Sequence, residues 1–327
     1  MEKVIRPEIV VRYNQREVTK DLLPLITSFE YVDHVEGESD TVALSISDPD
    51  YRFLGSWYPE KGDTLEVLFG YAGDLAPAGI FEIDQQAVSG PPNAVELKGI
   101  AASYGRSMRT RRSSAHEDSS LLKIAQSIAD AAGLNIVGDI SPNLLVRRST
   151  QNRETDLGYL RRIAKGFGYA FSVRGSDLVF FTYEGLEGLP PKRVVSLRDV
   201  ISFSFKDKTA EVYKGAAVRY HNPDTQETIN YETNELAQDT SDTLEVREIA
   251  KDEAEAQAKA RSALRRANTT KTTGSLVVIG DTSLLAGNNI ELPGAGVLSG
   301  MYHITKSRHS ITPSGGYQTT VEVKKVK

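Results

Sequence analysis

The first hundred residues alternate between apolar and polar positions with a period of two, the pattern of strands that bury one face. Thr41–Ser47 places Val42, Leu44 and Ile46 on one face, and Asp48-Pro49-Asp50 supplies the turn that stops it. Asp63–Phe69 alternates again. Gly70–Gly79 reads as a turn-rich break, and Ile80–Ile83 and Ala94–Lys98 read as two further strands split by Ser89–Asn93. Short strands between such turns predict an antiparallel barrel or sandwich.

Beyond Tyr104 the period becomes helical. Ser119 or Ser120 is placed to cap a helix that buries Leu121, Leu122, Ile124, Ala125, Ile128, Ala129 and Ala132, with Gly133 just past its end. A second helix starts near Thr155, buries Leu157, Leu160, Ile163 and Ala164, and ends at Gly166 and Gly168. Tyr169–Val173 and Asp177–Thr182 predict a hairpin, and Gly188–Lys192 a linker. Strands resume at Val200–Phe205 and Gly215–Tyr220. Asp252–Ala267 predicts an alanine-rich helix, acidic at its start and basic at its end as the helix dipole favours. Glu255 and Lys259 form an i,i+4 pair on it, and its alanine face requires a close neighbour. The C-terminal segment alternates as strands.

The end of the chain echoes its beginning. Ile26–Tyr31 resembles Val200–Phe205, Gly62–Val67 resembles Gly287–Leu292, Gly79–Asp84 resembles Gly300–Thr305, and Val95–Lys98 resembles Val321–Lys324, in the same order. The expected fold is therefore mainly β with an α+β middle unit. Residues 1–104 form a first antiparallel β-barrel-like domain and 105–192 the middle unit. Residues 193–327 form a second, similar barrel-like domain with a helix-containing insertion at about 222–273. Three such chains would present six near-equivalent modules, a pseudo-sixfold ring that lets a threefold object dock on a sixfold one.

Composition narrows the function. The chain has 327 residues, ordinary globular content and no cysteine, which excludes disulfides and thiolate chemistry. Ile9, Val10 and Val11 are too short a run for a signal-peptide core, and no apolar stretch approaches a membrane span, so no direct membrane insertion is expected. The net charge of −5 argues against general nucleic-acid binding. Yet Arg106–Lys165 carries nine Arg and two Lys against six acids, leaving −10 for the remainder.

Four segments resemble the phage late control gene D proteins, contractile-tail baseplate hubs related to the hub portion of VgrG proteins. They are Gly62–Gly79 with Phe81–Asp84; Arg109–Ser114 with Ser120–Ala125 and Gly133-Leu134; Gln151–Leu157 with Tyr159–Ala164; and His309–Thr312 with Gly315–Val323. The resemblance implies a non-enzymatic homotrimer in a virion tail baseplate or tail-like particle, assembled in the bacterial cytoplasm. It also implies a tail tube protein on one side, a tail spike protein on the other, further baseplate neighbours, and a channel open to DNA or the tape-measure protein. The chain ends after its second β segment, so the spike is expected to be a separate protein.

No cofactor or metal is expected. His34, His116, His221, His303 and His309 form no ligand pattern, and Glu154 and Asp156 fit a helix start better than a glycosidase pair. Arg109, Arg111, Arg112, Arg147, Arg148 and Arg153 are the candidate subunit-interface residues, answering acidic faces of neighbouring chains. Two rival readings remain: a cell-wall-degrading tail-tip enzyme using those carboxylates, and a carbohydrate-binding β module using Tyr51, Trp57 and Tyr58.

Overall fold

The computed structural model describes residues 6–36, 39–60, 62–101, 108, 110–141, 144–174, 177–208, 212–221, 228–234, 240–246, 253–269 and 271–326. By contact, the chain divides into two compact units. One comprises Met1–Ser103, Pro190–Ser204 and Gly274–Val323; the other comprises Tyr104–Leu189, Phe205–Thr273 and Lys324–Lys327.

The first unit is built on one large sheet. Its early strands are β1 (Pro7–Tyr13), β2 (Arg16–Glu17), β3 (Ile26–His34), β4 (Thr41–Ser47), β5 (Thr64–Tyr71), β6 (Asp74–Ser89) and β7 (Ala94–Ala101). The turn-rich break expected over Gly70–Gly79 is only a tight hairpin, with Tyr71 opposite Asp74, and β6 runs unbroken through Ile80–Ile83. Proline and glycine misled the reading. Pro77 and Gly79 sit where the β5–β6 register shifts, a bulge that tolerates a missing N–H.

The chain leaves for the second unit and returns as β13 (Arg193–Val194), β14 (Ser202–Asp207), β18 (Thr272–Ile279), β19 (Asn289–Leu292), β20 (Gly300–Thr312) and β21 (Gly316–Lys325). The path through the sheet reads β14-β18-β21-β20-β3-β4-β7-β6-β5-β1-β2, with β19 pairing β20 and β13 pairing β19. The echo in the sequence thus corresponds to a recurrence of strand order: β3-β4-β7-β6-β5 in the first copy, β14-β18-β21-β20-β19 in the second.

Details recur as well. Leu65 lies opposite Phe81, and Ile290 opposite Tyr302. The paired glycines Gly62 and Gly287 have φ of 98° and 93°, and Gly79 and Gly300 have φ of 123° and 140°. Ile83 donates its N–H to the Asp63 carbonyl and Ile304 donates its own to the Asn288 carbonyl, each at 2.9 Å.

No sheet closes among the described residues, where the sequence suggested barrels. The reason is local. The second half of β20 does not fold back onto β14, the first strand of its own copy, but pairs with β3 of the other copy. The core of this unit gathers Phe29, Tyr31, Leu44, Phe69 and Phe81 from the first copy together with Tyr317 from the second.

The second unit opens with a ribbon that sequence periodicity missed: β8 (Arg111–Ser120) paired antiparallel with β10 (Leu145–Thr155). The sequence RRSSAHEDSS carries no apolar alternation, so its strand character was invisible. Ser120 caps the helix Leu121–Ala132 by accepting the Lys123 N–H at 3.2 Å, and Gly133 closes it at φ 69°. Thr155 caps the helix Asp156–Gly166 through the Gly158 N–H at 3.1 Å. Both helices bury their predicted faces with β11 (Tyr169–Arg174) and β12 (Asp177–Thr182), the expected hairpin. β9 (Asn135–Gly138), which was not anticipated, adds in parallel to β12.

The alanine-rich helix spans Glu253–Thr269 and carries the Glu255–Lys259 pair at 2.8 Å. Ala256, Ala260 and Ala263 pack with Ala216 and Val218 of β15 (Gly215–His221), which is flanked by β16 (Thr228–Asn234) and β17 (Thr243–Val246). The close approach required by its small side chains is visible at Ser262, whose hydroxyl donates to the Lys165 carbonyl at 3.2 Å.

Candidate functional site

The feature that most distinguishes the first unit is the seam where the two copies join. Along β20, Gly300–His303 pairs with β19 of its own copy, and Lys306–Ile311 then pairs with β3 of the other. The register sets Ser307 opposite Asp33, His309 opposite Tyr31, and Ile311 opposite Phe29. One face of this seam is closed by aromatic rings: His309 stacks on Tyr31 with centroids 6.0 Å apart and lies 4.9 Å from Phe69.

His309 is wholly buried and satisfied on both nitrogens. Its Nδ1 lies 2.8 Å from the Tyr317 hydroxyl and 3.2 Å from Thr319 Oγ1, and its Nε2 lies 3.0 Å from Ser307 Oγ. Burial pushes its pKa down to about 4, against a smaller upward pull from Asp281, so the ring is neutral at pH 7. Asp33, also buried, accepts the Ala286 N–H at 2.8 Å. A serine–histidine contact suggests nucleophilic chemistry, but this one is sealed from solvent; its hydrogen bonds stay within β20 and β21, while the Tyr31 and Phe69 rings and the Asp33–Ala286 bond reach across to the other copy. On the outer face Arg308 Nε donates to Glu30 at 2.8 Å across the same seam.

Two exposed strand segments complete the picture. β14 stands at the end of the strand order, with Ile201 and Phe203 exposed beside it and on it. Gln85–Ser89 of β6 extends past its partner β5, and Val88 there is exposed.

The arginines proposed for subunit contacts lie on the β8–β10 ribbon of the second unit, with one exception: Arg109 falls outside the described residues. Arg147 is placed only as a position on β10. Arg112 is committed within the chain, its Nε 2.6 Å from the buried carboxylate of Asp156, which also accepts from Gln151 at 2.8 Å. Arg148 meets Glu117 loosely, at 3.8 Å, with both side chains exposed. Arg153 sits at a bulge with φ 48°, its N–H donating to Ser113 Oγ. Arg111 is exposed opposite Thr155.

The residues behind the two rival readings are also placed. Glu154 binds Arg162 at 2.9 Å, so both carboxylates of the supposed pair are held by guanidinium groups. His116 stacks on the buried Tyr159 and is held below its usual pKa by burial and by Arg112. Trp57 packs edge-on against Phe53 and under Arg52, beside a cavity of about 310 Å³ that Tyr13, Arg16, Asp21 and Tyr58 help to line. Sequence reasoning missed the His309 network entirely, because nothing in the residues 307–319 distinguishes a buried polar cluster from alternating strand positions.

The fold of this chain recurs in solved structures. The 43 kDa tail protein of prophage MuSo2 from Shewanella oneidensis matches at TM-score 0.74 over 98% of both chains, at 12% identity. A component of the E. coli type VI secretion system, described as structurally similar to the T4 tail proteins gp27 and gp5, matches at TM-score 0.59 over 92% of this chain and 74% of its own, at 13% identity. More particularly, the chain is 25% identical over 180 residues to a probable baseplate hub protein of Escherichia phage P2. That match covers 54% of this chain and 45% of the relative, so the chain matches less than half the length of that protein. No family model matches. The resemblance to baseplate hub proteins read from the sequence is upheld by these relatives.

Proposed function

We propose that the chain is a structural baseplate hub of a phage tail or tail-like contractile particle, and not an enzyme. The observation that carries this reading is the recurrence of strand order, which turns one chain into two near-equivalent modules. Three chains then make a six-module ring, adapting a sixfold tail tube to a threefold spike around a channel for DNA or the tape-measure protein. In this reading the three segments 1–104, 105–192 and 193–327 are first copy, inserted unit and second copy, the last with its own insertion. The exposed face of the β8–β10 ribbon meets neighbouring subunits, with Arg111 the best probe because Arg112 is already engaged by Asp156.

Light scattering on the purified chain, alone and with its spike neighbour, tests the reading. A mass near three times 35.9 kDa in either condition supports it. A monomer that ignores the spike overturns it. An Arg111→Glu variant is expected to lower the trimer yield without unfolding the chain. The aromatic cavity at Trp57 favours a second reading, a carbohydrate-binding surface; a glycan screen whose signal is lost on Trp57→Ala would support that instead.

A further inference from the structure

The two copies of the strand order differ in one connection. Between β18 and β19 the second copy uses the nine residues 280–288, whereas between the equivalent strands β4 and β5 the first copy uses the 16 residues 48–63. Both segments open on an aspartate that holds the turn after it. Asp281 Oδ1 accepts the Ser283 N–H at 2.9 Å, and the buried Asp48 accepts the Arg52 N–H at 2.8 Å and the Phe53 N–H at 3.1 Å. The second copy then goes on to its next strand. The first copy instead adds Phe53, Ser56, Trp57, Tyr58 and Pro59, and these form one wall of the cavity of about 310 Å³.

That wall is fixed before anything binds. The Trp57 N–H donates to the Arg52 carbonyl at 2.9 Å, the Tyr58 N–H to the Gly55 carbonyl at 3.1 Å, and Gln86 Nε2 to the Phe53 carbonyl at 3.2 Å. Facing it are Leu22, Leu65 and Leu97, which with Phe53 belong to the core of the sheet, so the cavity opens onto that core. Arg16, Asp21 and Tyr58 stand exposed around it. This lining suits an apolar group better than a sugar. Buried sugar hydroxyls need partners, yet Leu22, Phe53, Leu65 and Leu97 offer none, and the Tyr13 hydroxyl already donates to Asp63. The volume lies at the small end of ligand pockets, which suits a single large side chain. A preformed socket filled by one buried anchor is the usual centre of a protein contact.

We propose that this cavity is a socket for a separate polypeptide, taking one large apolar side chain whose neighbours in that partner include an acid for Arg16 and a base for Asp21. The apolar anchor supplies the binding energy as it leaves water against Leu22, Phe53, Leu65 and Leu97. The opposite charges of Arg16 and Asp21 set the direction in which the partner lies and select against segments with the wrong charges. The socket belongs to the longer connection of the first copy alone, so each chain offers it once. It rests on the cavity and not on how many chains form a ring.

Trp57 is the only tryptophan of the chain, so its emission reports on the cavity directly. The full chain is titrated with the blocked tripeptides acetyl-Glu-Leu-Lys-amide, acetyl-Lys-Leu-Glu-amide and acetyl-Glu-Ser-Lys-amide, and with chitotriose as the sugar. At least one leucine peptide is expected to change the emission saturably, and to bind about tenfold or more tightly than the serine peptide. Asp21→Asn and Arg16→Gln should each weaken that peptide by roughly twofold to fivefold, the range of an exposed ion pair. Val18→Phe, which fills the cavity from its side, should abolish the response, with circular dichroism as the check on folding. Acrylamide quenching in the unsubstituted chain needs no variant: the leucine peptide should shield Trp57 and the serine peptide should not. Leucine and serine peptides that act alike, or a complete lack of response, overturn the socket. A saturable response to chitotriose without one to the peptides overturns it in favour of carbohydrate. Emission that shifts with protein concentration alone assigns the cavity to a second copy and overturns the separate partner. A leucine-selective response in a chain that stays monomeric with its spike neighbour keeps the socket while the hub reading falls.

Discussion

The two copies of the strand order have the same connectivity and face opposite conditions. In one place the first strand of a copy, β3, is covered by β20 and holds Phe29 and Tyr31 in the core. In the other the equivalent strand, β14, ends the sheet and shows Phe203 to solvent. The same residue type at the same topological position is a core residue in one copy and a surface residue in the other. Burial is therefore not a property of a strand's sequence pattern alone; it depends on which edge arrives beside it.

Substitution should break this comparison most sharply at the paired phenylalanines. Phe29→Ala is expected to destabilise the chain by roughly 3–5 kcal/mol, as emptied core sites do. Phe203→Ala, at a position 51% exposed, should cost far less, under about 1 kcal/mol. Urea unfolding of both variants at one protein concentration checks the difference, and equal losses would erase the distinction between the copies.

The next effect is acid sensitivity, which centres on His309, placed by the second copy at the junction with β3. The folded pKa of His309 is about 4, below its unfolded value near 6.5, so the unfolded chain binds the extra proton first. The stability contributed by the neutral ring is complete above about pH 6.5 and falls as pH drops towards 4, by roughly 3 kcal/mol in all. Asp63 and Glu187 are held below the usual carboxylate range, so their contributions are lost only at lower pH, beneath the unfolded carboxylate value. In His309→Leu the slope between pH 6.5 and 4.5 should become clearly shallower, the remainder coming from His116, which is also held below its usual pKa.

The smallest effect tests the equivalence of the copies. A Cβ on Gly62 meets nothing within 4 Å and one on Gly287 only Val35 at 3.9 Å, so alanine at either position pays only for a positive φ. Gly62→Ala and Gly287→Ala should each cost about 1 kcal/mol, and by similar amounts. A large difference between them in thermal unfolding would show that the two turns are not the same device.

Much of this architecture was legible in the sequence because it rests on local rules. Caps at Ser120 and Thr155, the αL glycine Gly133, the hairpin after Gly168 and the alanine helix all follow from residues within a few positions of one another. The order of the four echoing segments was legible too. What escaped was set by distant partners. The polar strand β8 is recognisable only once β10 lies beside it, and Gly70–Gly79 looked like a loop because a bulge and a loop use the same residues. The barrel expectation failed for the same reason: alternation says that a strand has a buried face but not whose strand supplies the neighbouring edge. At the candidate interface, sequence alone could mark Arg112 as basic but not that Asp156 already engages it.

The junction between β20 and β3 has a consequence for synthesis. Arg308 and Glu30 meet across it although 278 residues separate them, and Tyr317, Leu285 and Ile311 pack into the core begun by Phe29 and Phe69. The N-terminal strands leave the ribosome long before the segment that completes their core, at a pace of roughly 5–20 residues per second. For tens of seconds the nascent chain carries an unfinished sheet with a vacant edge, until β20 arrives to fill it. Truncation near the C-terminus should therefore damage the first half of the molecule, not the half in which the deletion lies.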